Sequence, residues 1–138
     1  MTSHETMQQI LDAEPLLNDF GYGALEEHHK SAEQIAAEIA ANRAKMLEPH
    51  SLTQFEAARA WLRQFPKIKQ FSRHGSSYGL KHAAAYDLGY VTNGVFIAAA
   101  IAEGFRAERV DRSPNARIAI SSRAWERGTR ATGGQRVG

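Results

Sequence analysis

The sequence predicts a mainly α-helical protein that folds as a single compact domain of about five helices. Its 138 residues are an ordinary length for one domain, and 43% apolar residues are enough to build one core. Apolar side chains recur at helical spacing in several segments, and capping residues, prolines and glycines bound those segments. The chain has no cysteine, which excludes a disulfide scaffold, a thiolate metal site and a cysteine nucleophile.

The helix boundaries follow from local signals. We expect helices at about residues 3–13, 32–47, 54–65, 78–88 and 93–103. The first three each begin with a capping-box pair: Thr2 with Glu5, Ser31 with Gln34, and Thr53 with Glu56. Prolines at positions 15, 49 and 66 end these three helices. Gly89 and Gly104 are placed to close the last two.

The last two helices, within residues 78–104, have the layout of a helix-turn-helix, with Gly89 in the turn. In such a motif the second helix enters the major groove of DNA. Here that helix offers only Thr92 and Asn93 as polar side chains, although base edges are read by hydrogen bonds. Two interpretations therefore remain open: the pair docks on DNA, or its alanine-rich second helix is part of the core.

The remainder of the chain carries fewer signals. Residues 117–121 alternate like a short strand or one arm of a hairpin, whose partner must come from residues 67–71 or from another chain. We expect residues 1–127 to form the helical domain, with an acidic N-terminal arm over residues 1–29. Residues 128–138 are expected to be a flexible basic tail.

Charge is unevenly distributed along the chain. Residues 1–29 hold six acids and no Lys or Arg: Glu5, Asp12, Glu14, Asp19, Glu26 and Glu27. No acid occurs from Ala57 to Tyr86, a window that holds six Lys and Arg, and residues 105–138 hold eight Arg. Either the basic part presents a surface to a polyanion, or the acidic arm folds over it and neutralises it.

A polar loop at residues 72–77 precedes a predicted helix and is flanked by Arg73 and Lys81, which suits it to hold a phosphate. We therefore expect the phosphate contacts to come from the cations Arg73, Lys81, Arg106 and Arg109. The polar side chains of Ser76, Ser77, Thr92 and Asn93 are expected near the backbone or the bases.

The sequence gives little support to other kinds of site. Residues 75–79 match the G-x-S-x-G pattern, but no multistranded sheet is predicted to hold Ser77 as a nucleophile, so we expect no enzyme activity and no cofactor. His28 and His29 lack a second ligand pair at metal-binding spacing, so no metal site is expected. The longest apolar run, Gly94–Ala102, is too short to span a bilayer, and no secretory signal is visible; we expect a cytoplasmic protein without membrane contact.

One part of the chain carries a resemblance. The run SSYGLKH from Ser76 to His82 and the run GYVTNGVFI from Gly89 to Ile97 resemble a group of small uncharacterised proteins of proteobacterial phages, plasmids and other mobile elements. The likeness continues to Ile101 and includes SPNA at residues 113–116, so it covers about residues 72–122. It implies a setting of DNA transactions, transcriptional control or antagonism of host defences, and no catalytic residues.

The sequence supports two hypotheses of function, one in which the protein binds nucleic acid and one in which it binds another protein. The first is a non-enzymatic accessory or regulatory protein of a mobile genetic element that binds DNA or RNA through a cationic surface. The second is a protein-binding inhibitor or adaptor, for example an antagonist of a host defence complex, which acts through its acidic N-terminal arm. Oligomeric state is not indicated by the sequence.

Overall fold

The computed structural model describes residues 1–71 and 75–126, and it is mainly α-helical, as the sequence predicts. Its helices of ten or more residues are α1 (Ser3–Ala13), α2 (Ala32–Lys45), α3 (Pro49–Leu62), α4 (Ser77–Leu88) and α5 (Asn93–Ala102). A 3-10 turn, Glu27–His29, precedes α2. The predicted tail at residues 128–138 lies outside the described residues.

Two of the three predicted capping boxes are confirmed. The Glu5 backbone N–H donates to the Thr2 hydroxyl at 3.0 Å, and the Glu5 carboxylate accepts from the Thr2 backbone N–H at 3.2 Å. Ser31 and Gln34 form the same reciprocal pair at the start of α2. Each pair satisfies amide groups that a helix end otherwise leaves without a partner.

The third predicted capping box, at the start of α3, is wrong. The helix begins at Pro49 and ends at Leu62, so Pro49 opens α3 as well as following α2. Proline suits the first helical position because its missing N–H needs no intrahelical partner there. Thr53 lies one turn inside the helix, and its hydroxyl donates to the Pro49 carbonyl at 3.1 Å.

The core is built around α5. Every residue from Asn93 to Ala100 is buried, and the helix packs against α1, α3 and α4. The axes of α4 and α5 meet at 89°, with Gly89 at φ +75° in the connection. The pair therefore bends as a helix-turn-helix does, but its second helix is inside the protein. That burial excludes α5 as a helix that reads DNA bases.

The segment after α1 forms a small hairpin that seats the N-terminal end of α5. Strand β1 (Leu17–Asn18) pairs antiparallel with β2 (Gly21–Tyr22). The Gly94 N–H donates to the Asp19 carbonyl at 3.2 Å, and a Cβ built on Gly94 would overlap the Asn18 carbonyl oxygen. Only glycine fits this close approach between helix and hairpin.

The predicted acidic arm is not a separate appendage. In α1, Met7 is fully buried and Leu11 is 1% exposed, so this helix is part of the core. Leu17 and Tyr22 of the following hairpin are also buried. Of the six acidic residues, Glu14 and Asp19 are half-buried and the others are exposed.

A second hairpin follows α5. Strand β3 (Ala107–Arg109) pairs antiparallel with β4 (Ala116–Ile118), and Glu108 stands opposite Arg117. The strand predicted near residues 117–121 therefore exists, but its main partner is β3, which the sequence did not indicate. The predicted partner segment contributes one bridge, between Lys67 and Ile120.

Within the described residues, no single helix is both long and apolar enough to cross a membrane; α4 and α5 pass the length and composition criteria only as a pair, across their sharp bend.

The close approach at Gly94 can be tested by the variant Gly94→Ala. Glycine to alanine inside a helix ordinarily stabilises a protein by up to about 1 kcal/mol. Here the new methyl group meets backbone, so we expect the free energy of unfolding to fall by about 3 kcal/mol. Urea denaturation measures the difference, and a stabilised variant would contradict the described packing.

Candidate functional site

A buried hydroxyl joins the elements around the candidate site. The Ser77 hydroxyl, at the start of α4, donates to the Asn93 side-chain oxygen at 2.9 Å. It also accepts from the Ala116 backbone N–H of β4 at 3.0 Å. Ser77 is fully buried, so its one hydroxyl fixes α4, α5 and the C-terminal hairpin relative to one another.

Asn93 extends this junction through its side-chain NH₂ group. Its nitrogen lies 3.1 Å from the Pro114 carbonyl oxygen, 3.0 Å from the Asn115 side-chain oxygen and 3.4 Å from the Phe20 carbonyl oxygen. Thr92 is occupied as well: its hydroxyl donates to Asp19 at 2.8 Å and caps α5.

These contacts correct the expected role of one residue. Ser77 was expected to lie near nucleic acid, but it is buried and its hydroxyl is already used. Asn93 is 8% exposed and Thr92 is half-buried, and both hold internal partners. Both also line the adjoining cavity, so their contact with nucleic acid stays a prediction.

A cavity of about 560 Å³ opens beside this junction. It is bounded by polar groups from several elements and by two tyrosine rings. Its described lining residues are Asp19, Phe20, Asn42, Tyr78, Lys81, Tyr90, Thr92, Asn93, Pro114 and Asn115. A cavity of this size with a few polar groups is typical of ligand sites.

Lys81 is the principal charge of this cavity. Its ammonium group lies 5.5 Å from the centre of the Tyr78 ring and 5.1 Å from that of Tyr90. Lys81 is only 8% exposed, and this burial lowers the pKa of its amine from the usual 10.5. In residues 1–71 and 75–126, no acid pairs with it. The sole acid among the described lining residues, Asp19, accepts the Thr92 hydroxyl.

A second cavity, of about 740 Å³, adjoins the first. Phe20 and Pro114 line both, so they form the wall between them. Its cations are Arg109 and Arg112, and its acids are Glu26 and Glu27. The Arg109 guanidinium donates to the carbonyls of Ser113 and Arg112 and lies 5.9 Å from the Tyr22 ring, so it is partly occupied.

The other expected cations are not brought to these cavities. Arg106 lines neither; its guanidinium lies 4.4 Å from the Phe71 ring centre and donates to the Lys69 carbonyl. Ser76 is the N-cap of α4 and is partly exposed. Arg73 lies outside the described residues. The structure thus places Lys81 and Arg109 in adjoining cavities and Arg106 elsewhere.

The salt bridges of the basic part do not involve the acidic arm. Arg59 and Arg63 both bind Glu103, at 2.7 Å and 2.8 Å, and Arg59 also contacts Glu56 at 3.1 Å. Throughout the described ranges, no acid of residues 1–29 forms a salt bridge with Lys or Arg. Arg59 and Arg63 are therefore neutralised by Glu103 and Glu56 and not by the arm.

Sequence reasoning missed the aromatic residues of the site. Tyr78 and Tyr90 flank Lys81, and both are more than half exposed. The sequence shows how close the two tyrosines lie to Lys81. A tyrosine beside apolar residues is, however, ordinarily expected to lie in the core. Asn115, which was also not singled out, reaches the site through the C-terminal hairpin.

No known protein guides the interpretation of this site: comparisons with protein families, curated proteins and solved structures give no match to the chain. Among the described residues, no cluster of His, Asp or Glu has the arrangement of a metal site.

The compensation at Glu103 predicts a dependence of stability on pH. Burial acts to raise the pKa of Glu103, but hydrogen bonds and charge from Arg63 and Arg59 outweigh it and hold the pKa below the usual 4.5. A lowered pKa in the folded state stabilises the protein above pH 4.5, and this contribution is lost as the pH falls through the folded value. We expect Glu103→Gln to lower the free energy of unfolding at pH 7 by about 1–2 kcal/mol and to weaken its acid dependence.

Glu108→Gln is the matched control, because its carboxylate is 63% exposed and lies 4.0 Å from Arg106. It should change stability by less than about 0.5 kcal/mol. Equal effects of the two variants in urea titrations between pH 3 and 7 would show that the Glu103 cluster is not stabilising.

Proposed function

We propose that this protein is a non-enzymatic, nucleic-acid-binding accessory or regulatory protein, and that Lys81 is its central phosphate contact. Lys81 carries the proposal because its side chain is largely buried at a cavity edge and, among the described residues, its ammonium group has no acid partner. The resemblance noted in the sequence adds the setting of a mobile genetic element, and with it a cytoplasmic location.

Removing a charge from water is costly. An ammonium group removed from water loses hydration, and in most proteins a carboxylate compensates for that loss. Here the lining offers aromatic rings and neutral amides, with Asp19 held by Thr92. A phosphate oxygen entering the cavity would supply both the missing negative charge and a hydrogen-bond acceptor for Lys81.

The second cavity adds positive charge that also attracts phosphate. Arg109 and Arg112 lie beyond the wall formed by Phe20 and Pro114, so further phosphates have cations to approach there. Glu26 and Glu27 in the same cavity oppose this attraction. The contact therefore centres on Lys81, and the arginines of the second cavity contribute less.

The burial of α5 limits how the protein can recognise nucleic acid. Helix α5 is not free to lie in a major groove with its polar side chains on base edges. Binding through phosphates and aromatic rings carries little sequence information. We accordingly expect weak preference among sequences and a strong dependence on salt.

The variant Lys81→Met tests the proposal, since methionine fills similar space without the charge. We expect it to weaken binding of an oligonucleotide about tenfold. The slope of log affinity against log salt should also fall by about 0.7, the value for one phosphate contact on a single strand. Fluorescence anisotropy across a range of salt concentrations measures both quantities.

Lys45→Met is the matched control, because Lys45 is exposed in the last turn of α2 and lines neither cavity. It should leave the affinity nearly unchanged. Equal losses in both variants would indicate attraction to net charge alone, and undiminished binding by Lys81→Met would contradict the proposal.

A protein partner remains a second candidate, for which the acidic arm provides a specific observation. Its carboxylates form no salt bridge within the described part of the chain, and Glu26 and Glu27 line a cavity. These groups could occupy a basic channel of another protein. If that were the function, reversing Glu26 and Glu27 would abolish the activity, and nucleic acid would not bind even at low salt.

A further inference from the structure

The outer side of α4 carries a row of aromatic side chains. Tyr78, His82 and Tyr86 follow one another at intervals of four residues, which places them on one face of a helix. Tyr78 is 53% exposed and Tyr86 is 51% exposed, and His82 is also exposed. We call these three residues the aromatic row. Its position on the solvent side means that it does not serve the core.

The rings are oriented and supported at one end of the row. Tyr78 and His82 make an edge-to-face contact with their ring centres 4.5 Å apart. Lys81 lies beside Tyr78, with its ammonium group 5.5 Å from that ring. A cation in the adjoining cavity therefore accompanies exposed aromatic faces, which is the combination that proteins use to hold single strands.

The surroundings of the aromatic row are mixed. The Trp125 ring lies against Gly79, beside Tyr78. Asp87 is the acid of this helix; it is exposed, and its carboxylate accepts the Trp61 indole N–H of α3 at 2.7 Å. That hydrogen bond draws the carboxylate toward α3, while Lys81 lies at the Tyr78 end of the row.

The accessibility of the bases distinguishes between forms of nucleic acid. In a duplex the bases are paired and stacked, and proteins reach only their edges in the grooves. Aromatic side chains stack on the faces of bases, which an unpaired strand exposes. An unpaired strand therefore suits the aromatic row better than a duplex does.

We infer that the aromatic row binds the unpaired bases of a single-stranded nucleic acid while Lys81 contacts its phosphate backbone. This inference rests on the proposed function and narrows it, because it names the single strand as the ligand. It assigns a role to Tyr78, His82 and Tyr86, which the phosphate contact alone does not need.

The experiment separates bases from phosphates. Wild-type protein is titrated into three labelled probes: an oligothymidylate of about eight nucleotides, an abasic strand of the same length, and a duplex. The abasic strand keeps the phosphate charges and lacks the bases. We expect the oligothymidylate to bind about tenfold more tightly than the abasic strand.

Single substitutions test which side chains contact the bases. Tyr86→Ala should weaken oligothymidylate binding about tenfold and leave abasic-strand binding unchanged, because Tyr86 lines neither cavity. Tyr78→Ala should also weaken oligothymidylate binding about tenfold, with a smaller loss for the abasic strand because Tyr78 flanks Lys81. Tyr78→Phe and Tyr86→Phe keep the ring and should bind as wild type does. Leu16→Ala, at a residue that is 47% exposed outside this helix, is the control for lost apolar surface and should have no effect.

The results separate failure of this inference from failure of the proposed function. If the abasic strand binds as well as the oligothymidylate, and the alanine variants bind normally while Lys81→Met still loses affinity, the inference is overturned and the proposed function stands. Tighter binding of the duplex than of the single strand also overturns the inference. If none of the three probes binds even at low salt, both the inference and the proposed function are overturned.

Discussion

The hydrogen bonds of one buried hydroxyl hold the functional region together. Ser77 joins α4 to Asn93 of α5 and to the backbone of β4, and Asn93 in turn binds the Asn115 side chain. A buried polar group that loses a partner costs roughly 1–3 kcal/mol, so this junction tolerates little change. Through it, the first turn of α4 is fixed against the hairpin, and the positions of Lys81 and Tyr78 at the cavity follow.

The structure divides the polar residues of the region into two groups. Ser77 and Asn93 look inward and maintain the junction, while Lys81 and the aromatic row of Tyr78, His82 and Tyr86 face the cavity or solvent. A largely buried lysine with no acid partner among the described residues is not explained by the stability of the fold. A partly desolvated cation at a cavity edge marks a candidate functional site. The region thus combines a hydrogen-bonded internal junction with a cation at the cavity edge that has no acid partner among the described residues.

Local signals were sufficient to predict the helical class, the two capping boxes at α1 and α2, and the glycine between α4 and α5. They gave the wrong start for α3. Thr53 looks like an N-cap, but Pro49 fits the first position of the same helix, and the helix begins there. They also failed at Ser77, because its partner Ala116 lies 39 residues away and no local pattern reports such a contact. The exposed tyrosines were missed for a related reason: composition cannot distinguish a tyrosine in the core from one on the surface.

Amide chemical-shift mapping locates the contact directly. Two-dimensional ¹H–¹⁵N spectra of the labelled protein are recorded during titration with a short oligothymidylate. Contact through α4 predicts shifts concentrated at Tyr78, Lys81, His82 and Tyr86 and at the cavity residue Tyr90, with α1, which lines neither cavity, unaffected. Shifts confined to the acids of residues 1–29, or distributed over the arginines of the C-terminal hairpin without α4, would contradict it.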